Sequence, residues 1–325
     1  MHQETRPPLE PGWWVIAPAA ELGADRALTL TRFGRPMVLW RADGALRAAW
    51  DGCPHRGATF SGASVRGGQL LCPFHSFAFG PDGAATAVPC DGPSASTRGL
   101  QMRMLPAQEA HGLLWVWVAA SAPQGALPWF EGLADETWTD LTVEFEASWD
   151  LVIETMLDFA HLPTVHARSI GANFPFAIQV RQELGPQGLT ATVEGQPGGI
   201  AWAAPGSWRL DITDQVKNVG FFTPIDAGRT AVTYRFWQGY LRWPPLARAV
   251  GWLANFSNRR VANEDRAVIE GMARARAAFP QTDRLVAADA PIATFRRARR
   301  AWLRSGQLGA VPAPEEAGEA PSAEA

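Results

Sequence analysis

The sequence predicts an α+β chain in two parts, a strand-rich N-terminal domain followed by a larger part that alternates strands with helices. Three observations predict it. The 325 residues, at roughly 150 per ordinary domain, suggest two domains and enough chain for a substantial core. An apolar fraction of 47%, a charged fraction of 19% and 15 Trp argue against a mainly disordered chain. Short strand-like runs bounded by turn residues fill the chain up to Ala120, whereas the amphipathic helical segments come later.

In order, residues 1–10 read as a flexible arm and 11–121 as an all-β domain. Its strands are expected at 27–31, 37–40, 70–72 and 77–79, the last running into a Pro81-Asp82-Gly83 turn. The apolar run from Gly112 to Ala122 is about half the roughly 20 residues a membrane span needs, so it reads as a buried strand. Residues 122–129 read as a linker. The second part, 130–305, offers strands at 141–145, 177–180, 208–212 and 231–237. It offers helices at 151–162, where Pro163 is expected to break the run, and at 258–278. Residues 306–325 read as a disordered acidic tail, and no internal repeat is evident.

Charge narrows the function classes. Net charge is −3, and 28 Arg against one Lys form no single block able to track a phosphate backbone, so no nucleic-acid partner is expected. The tail from Val311 holds four Glu, and without it the chain carries +1. The N-terminus lacks the apolar stretch of a signal peptide. Three cysteines are too few for a disulfide framework. A cytoplasmic protein without a membrane partner is expected. The arginines between Ala290 and Arg304 read as a solvated helix face or a docking surface for an acidic redox partner.

Four of the six histidines fall into two compact groups. In the first, Cys53-Pro54-His55 is followed after sixteen residues by Cys72-Pro73-Phe74-His75. Two thiolates and two imidazoles suit zinc or an iron–sulfur cluster. In a [2Fe-2S] centre, replacing two thiolates by neutral imidazoles raises the potential to roughly −150 to +300 mV, against about −400 mV for the plant type. A structural Cys2His2 zinc site is the alternative. The remaining Cys90 reads as a small buried hydrophobe, His111 as a structural histidine and His2 as part of the arm.

The second group is Glu154, Asp158, His161 and His166 in ETMLDFAHLPTVH. On a helix, Glu154, Asp158 and His161 would lie within about 60° of one another. Acidic groups on an apolar helix are costly to bury unless paired or metal-bound, so something positive is implied. Two histidines and a carboxylate form the facial triad of non-haem Fe(II) oxygenases. For the carboxylate, Asp265 shares a stripe with Val261, Val268 and Met272, whereas Glu264 falls nearer the rim and reads as a solvated helix residue. An ordinary N-terminal carboxylate favouring the helix dipole remains open for either.

Taken together, CPHRG, CPFH and ETMLDFAHLPTVH, in this order and separation, resemble the oxygenase (α) component of Rieske non-haem iron oxygenases, within them the vanillate O-demethylase-like monooxygenases. The resemblance covers residues 11 to about 305. It implies a Rieske [2Fe-2S] domain at 11–121 and a helix-grip (START-like) catalytic domain at 130–305, in which an antiparallel sheet wraps a long helix. It further implies that Cys53, His55, Cys72 and His75 hold the cluster, and that His161, His166 and Asp265 hold a mononuclear Fe(II) that uses O2. Asp158 would bridge electrons between subunits of a homotrimer, with Glu154 in the shell behind the iron. Two departures stand out. The family commonly has His-Gly-Trp where this chain has His75-Ser76-Phe77, and position 154 is often Asn.

The resemblance implies hydroxylation or oxidative demethylation of a small aromatic or cyclic substrate. The chain has no convincing GxGxxG after a strand and no plant-type cluster motif, so a separate NAD(P)H-dependent reductase, with or without a ferredoxin, is expected. Phe174, Trp202, Trp208, Phe221, Phe222 and Trp237 are candidates for an apolar pocket and equally for core. A Rieske electron carrier without oxygenase activity and a zinc-stabilised binding protein are the competing classes.

Overall fold

A computed structural model describes residues 11–119, 121–133, 138–186, 188–241, 243–279 and 283–305. The arm expected at 1–10 and the tail expected at 306–325 lie outside the described residues.

The N-terminal region is all β. Its strands are β1 (Gly12–Pro18), β2 (Leu28–Arg32), β3 (Arg35–Ala42), β4 (Ala45–Trp50), β5 (Val65–Arg66) and β6 (Gln69–Leu71). They continue with β7 (Ala78–Phe79), β8 (Ala85–Ala87), β9 (Met104–Leu105), β10 (Ala107–Ala110) and β11 (Leu113–Val118). They form three antiparallel sheets, β1-β11-β10, β2-β3-β4-β9 and β5-β6-β7-β8. The apolar run after Gly112 is indeed a strand buried along its whole length, β11. Strand β1 is also buried on both faces, because successive side chains enter different cores. Trp14 meets Trp149 at 5.4 Å, while Trp13 packs in the cluster of Trp115 and Phe221.

The second region holds one seven-stranded antiparallel sheet. Its strands are β12 (Trp138–Phe145), β13 (Val180–Gly185), β14 (Gly188–Val193), β15 (Gly199–Ala203), β16 (Ser207–Thr213), β17 (Val216–Pro224) and β18 (Thr230–Gln238). Their order is β12-β18-β17-β16-β15-β14-β13. The strand expected at 177–180 starts only at Val180, and β14, β15 and β17 add three strands the sequence reading did not place. The helices are α1 (Trp149–Met156), α2 (Leu162–Val165), α3 (Pro244–Ala278) and α4 (Ala290–Ser305). The 35-residue α3 packs on β12 and β18, and α1 packs on α3 and β17. An antiparallel sheet thus wraps a long helix. The two regions are stitched together by backbone: Phe33 N–H donates to Pro224 O, Gly34 N–H to Ile225 O, and the Thr223 hydroxyl to Val15 O.

The helix expected over 151–162 is corrected in two respects. It runs only from Trp149 to Met156. Asp158 Oδ1 then accepts the N–H of Ala160 at 2.6 Å, a local turn that competes with helix. Pro163 does not break a helix but opens one, sitting in the first turn of α2 where its missing N–H is not needed. Cys90 is also corrected. It lies exposed in a 3-10 turn, Pro89–Asp91, rather than in the core.

Candidate metal centres

The first centre is built by two loops that are the same turn. In one, the Gly57 N–H donates to Cys53 O at 2.8 Å and the Cys53 N–H to Ala58 O at 2.8 Å. In the other, the Ser76 N–H donates to Cys72 O at 2.9 Å and the Cys72 N–H to Phe77 O at 2.8 Å. Each loop needs a left-handed residue four positions after its cysteine, supplied by Gly57 (φ 72°) and by Ser76 (φ 58°). The departure at position 76 therefore puts a Cβ where glycine is easiest.

Both cysteines are buried, within a core that includes Trp40, Phe60 and Phe79. The histidines sit outside it, His55 exposed and His75 half-buried, with ring centroids 5.0 Å apart. Phe77 stacks on His55 at 4.6 Å. Burial pushes the Cys53 thiol up to about 11. Hydrogen bonds from the His55 and Arg56 amides oppose this, and contact with Cys72 reinforces it. The four donors thus divide into a thiol pair and an imidazole pair. Among the described residues, the one group of three or more potential ligands whose donor atoms gather within 4.8 Å is a different one. A thiol pair and an imidazole pair are what two irons with unlike ligands require.

That different group is His161, His166 and Asp265. His166 Nε2 lies 2.9 Å and His161 Nε2 3.6 Å from Asp265 Oδ1. His166 and Asp265 are buried, and His161 is nearly so. Asp265 Oδ1 is buried and, although His166 Nε2 stands 2.9 Å away, it has no hydrogen bond of good geometry, a costly arrangement for a carboxylate oxygen unless a cation completes it. The donor set and this orphaned oxygen fit a divalent metal.

Behind each histidine stands a carboxylate. Asp158 Oδ2 lies 3.6 Å from His161 Nδ1, with its side chain 21% exposed. Glu264 Oε2 is 2.9 Å from His166 Nδ1, and is held by the Ser169 hydroxyl at 2.7 Å while Arg260 donates to Oε1 at 3.2 Å. This corrects the reading of Glu264 as a solvated helix residue. It sits beside Asp265 on α3, but its side chain turns toward α2. Burial disfavours the charged His166, yet Asp265 and Glu264 outweigh it and raise the pKa. Burial works against the Glu264 carboxylate too, but its three hydrogen bonds lower its pKa. The chain returns tightly after His166. Gly171 N–H donates to His166 O, and a Cβ at Gly171 would come within 1.8 Å of Leu162 O.

Glu154 is buried and lines the same cavity as Asp158, His161 and Asp265. Arg296 grips it with two hydrogen bonds, 2.7 and 2.6 Å, and Asp283 links Arg296 to Arg276. The charge it was expected to bring behind the iron is thereby neutralised, and no described bond joins it to Asp158. Arg299 likewise turns inward to Asp150 at 2.8 Å, so the α4 arginines are not simply a solvated face or a docking surface.

A cavity of about 270 Å³ reaches His161 and Asp265 of the triad, and is lined besides by Asp158 and Glu154 and by the apolar Leu151, Val268, Met272 and Ile292. Arg276, Arg284 and Arg296 also line it. A larger open groove nearby touches none of the three ligand candidates. None of Phe174, Trp202, Trp208, Phe221, Phe222 or Trp237 lines the cavity. Trp202, Trp208, Phe221 and Phe222 are core, Trp208 donating to Met156 O. Tyr234 faces Met156 Sδ at 3.9 Å, and burial, with the charge of Asp265, raises its pKa well above 10.

Comparison with known proteins supports both centres. Residues 12–105 match the Rieske [2Fe-2S] domain and 180–305 the vanillate O-demethylase oxygenase C-terminal domain. The vanillate O-demethylase oxygenase subunit of Pseudomonas sp. (strain ATCC 19151) is 36% identical over 42% of this chain and 42% of its own length. Chlorophyllide a oxygenase of Chlamydomonas reinhardtii is 28% identical over 71% of this chain and 38% of its own. The chain therefore spans less than half the length of these curated relatives. In fold, dicamba monooxygenase bound to dicamba superposes with a TM-score of 0.76 at 20% identity, covering 91% of this chain and 97% of that one.

Proposed function

Since the chain joins a Rieske [2Fe-2S] domain to a vanillate O-demethylase oxygenase C-terminal domain, and so belongs with the Rieske oxygenases, we propose that it is an oxygenase component. It would hydroxylate or oxidatively demethylate a small aromatic or cyclic organic substrate, with electrons from a separate NAD(P)H-dependent reductase, with or without a ferredoxin. The observation that carries this reading is the convergence of His161, His166 and Asp265 beside a cavity.

Cys53 and Cys72 would hold one iron of the cluster and His55 and His75 the other, while His161, His166 and Asp265 would hold the mononuclear Fe(II). When bound, the cluster supplies electrons one at a time and the mononuclear iron supplies O2 activation. The chain's own side chains do the rest. Glu264 fixes the ring of His166 through Nδ1, and Asp158 stands behind His161. The apolar wall of Leu151, Val268, Met272 and Ile292 keeps the carbon skeleton of a substrate against the triad. Hydroxylating an O-methyl or N-methyl carbon gives a hemiacetal or hemiaminal that loses formaldehyde, so the same site serves both reactions.

The exposed His55 and half-buried His75 lie where a second subunit can reach them, and Asp158 is partly open to solvent. A head-to-tail trimer would place one subunit's His75 against the next subunit's Asp158. We read the protein as cytoplasmic. No helix among the described residues is long and apolar enough to cross a membrane.

The first test is elemental. About three Fe and two acid-labile sulfides per chain are expected, against two Fe for a carrier and none for a zinc protein. The second is Asp158→Asn. Both metals should stay bound while turnover with a surrogate reductase falls by about 10- to 100-fold, the range reached when a carboxylate behind a ligand histidine is lost. Normal turnover by this variant would remove Asp158 from the electron path.

A further inference from the structure

The first half of α3 is built inside out. Going from Leu246 to Phe256, the residues turned to the sheet are small or polar: Ala247, Gly251 and Asn255, at four-residue intervals. Asn255 donates to Asp140 O, and a Cβ on Gly251 would strike Thr139 of β12 at 2.5 Å. The large apolar side chains point the other way. Trp252 is 61% exposed, Leu253 60%, Phe256 61% and Leu246 45%, with Trp243 at the helix start 64% and Tyr240 before it 55%. On a helical wheel, Leu246, Trp252, Leu253 and Phe256 fall within an arc of about 120°, opposite the packed face. Trp252 and Phe256 meet edge to face at 4.9 Å, so the patch is contiguous. A soluble helix normally turns such residues inward.

The charge pattern says what covers it. From Tyr240 to Asn263 the sequence has four arginines and no acidic residue. Arg259 and Arg260 are exposed one turn beyond Phe256; Arg259 borders the arc and Arg260 falls within it. An isologous contact with a second copy would bring this cationic segment against itself, with no carboxylate of its own to meet it, and the head-to-tail contact proposed above is placed at His75 and Asp158, not on this face. Tryptophan and tyrosine with leucine and phenylalanine, bordered by arginine, is the composition that settles at a lipid–water boundary.

We propose that the N-terminal half of α3 is a membrane-docking face that lies in the headgroup region of an anionic bilayer. Trp243, Leu246, Trp252 and Phe256 enter the acyl boundary, and Arg259 meets lipid phosphate. The anionic cytoplasmic leaflet is the matching surface for a cytoplasmic protein. This replaces the expectation of a chain without a membrane partner; contact is peripheral and no segment spans.

The test is flotation of the full chain with phosphatidylcholine vesicles, alone or containing about one part in four phosphatidylglycerol. The wild type should float with the anionic vesicles and remain behind with pure phosphatidylcholine, and about 0.5 M salt should weaken the association. Trp252→Glu with Phe256→Glu should lose at least tenfold in partitioning while circular dichroism and iron content stay unchanged. Trp252→Ser alone, a milder change, should show the same direction, and Arg259→Gln a smaller loss on anionic vesicles only. Failure of the wild type to float, or equal flotation of the glutamate variant, overturns the proposal. So does a wild type that stays in solution while the glutamate variant lowers its mass in light scattering, which assigns the face to a second copy.

Discussion

The two metal centres are built by opposite means. The cysteine–histidine loops make their own shape, each with one backbone hydrogen bond back to the cysteine carbonyl and one from the cysteine amide, and the four ligands lie within 23 residues of sequence. The triad makes nothing locally. His166 and its supporting Glu264 are 98 residues apart, and the ligand carboxylate comes from α3, which follows all seven sheet strands in the sequence. Backbone turns hold the first centre, and charged side chains standing behind the ligands hold the second. Damage should therefore propagate differently. The loops should fail alone, whereas the triad should respond to residues that touch no metal.

The largest expected effects separate the centres completely. Cys72→Ser should abolish the visible absorbance of the cluster and lower iron from about three per chain to about one. His166→Ala should do the reverse, keeping the absorbance and losing about one Fe. Metal analysis and an absorbance spectrum of each variant check this. Loss of both signals in either variant would break the comparison, because it would mean that one centre folds only with the other.

A smaller effect sharpens it. Glu264→Gln keeps shape but removes the charge behind His166, and should weaken Co(II) binding to the triad by about 10- to 100-fold, the range typical of supporting carboxylates. Titration of the cluster-loaded protein with Co(II) measures it, and the cluster spectrum should not change. An unchanged affinity would leave Ser169 and Arg260 as Glu264's only significant partners.

This contrast also explains what could be read in advance. Paired spacing exposed Cys53, His55, Cys72 and His75, because their geometry is local. Asp265 was legible as the carboxylate on an apolar stripe. Its neighbour Glu264 was not, since helical position gives the direction of a Cβ and not the reach of a four-bond side chain across to α2. The Asp158 turn was misread as helix because apolar periodicity continues through it, while one side-chain hydrogen bond to Ala160 ends the ladder. Glu154 was placed in the shell behind the iron by its helical spacing and by the family resemblance, and it does line the cavity there. Its partner Arg296 lies 142 residues away on α4, and nothing local signals that. Strands β14, β15 and β17 lie between turn residues that the sequence does show, Gly195-Gln196-Pro197-Gly198 among them, but their short Gly-containing patterns do not give their pairing, which is visible only in the sheet.

The smallest expected effect concerns the one position where the twin loops differ. Gly57 and Ser76 occupy equivalent left-handed positions, φ 72° and 58°, and only the first is free of a Cβ. A left-handed non-glycine residue costs roughly 1–2 kcal/mol, of which glycine's greater unfolded-state freedom returns about 0.5–1. Ser76→Gly should therefore stabilise the chain by about 0.5–1 kcal/mol. Gly57→Ala should destabilise it by about 0.5–1 kcal/mol, since a Cβ there meets open space but the conformation is strained. Denaturant unfolding of the cluster-loaded protein compares the two, followed at the cluster absorbance and by circular dichroism. Opposite signs would show that both loops are the same turn carrying unequal strain. A destabilising Ser76→Gly would instead mean that the serine side chain contributes to the second loop in a way its backbone does not reveal.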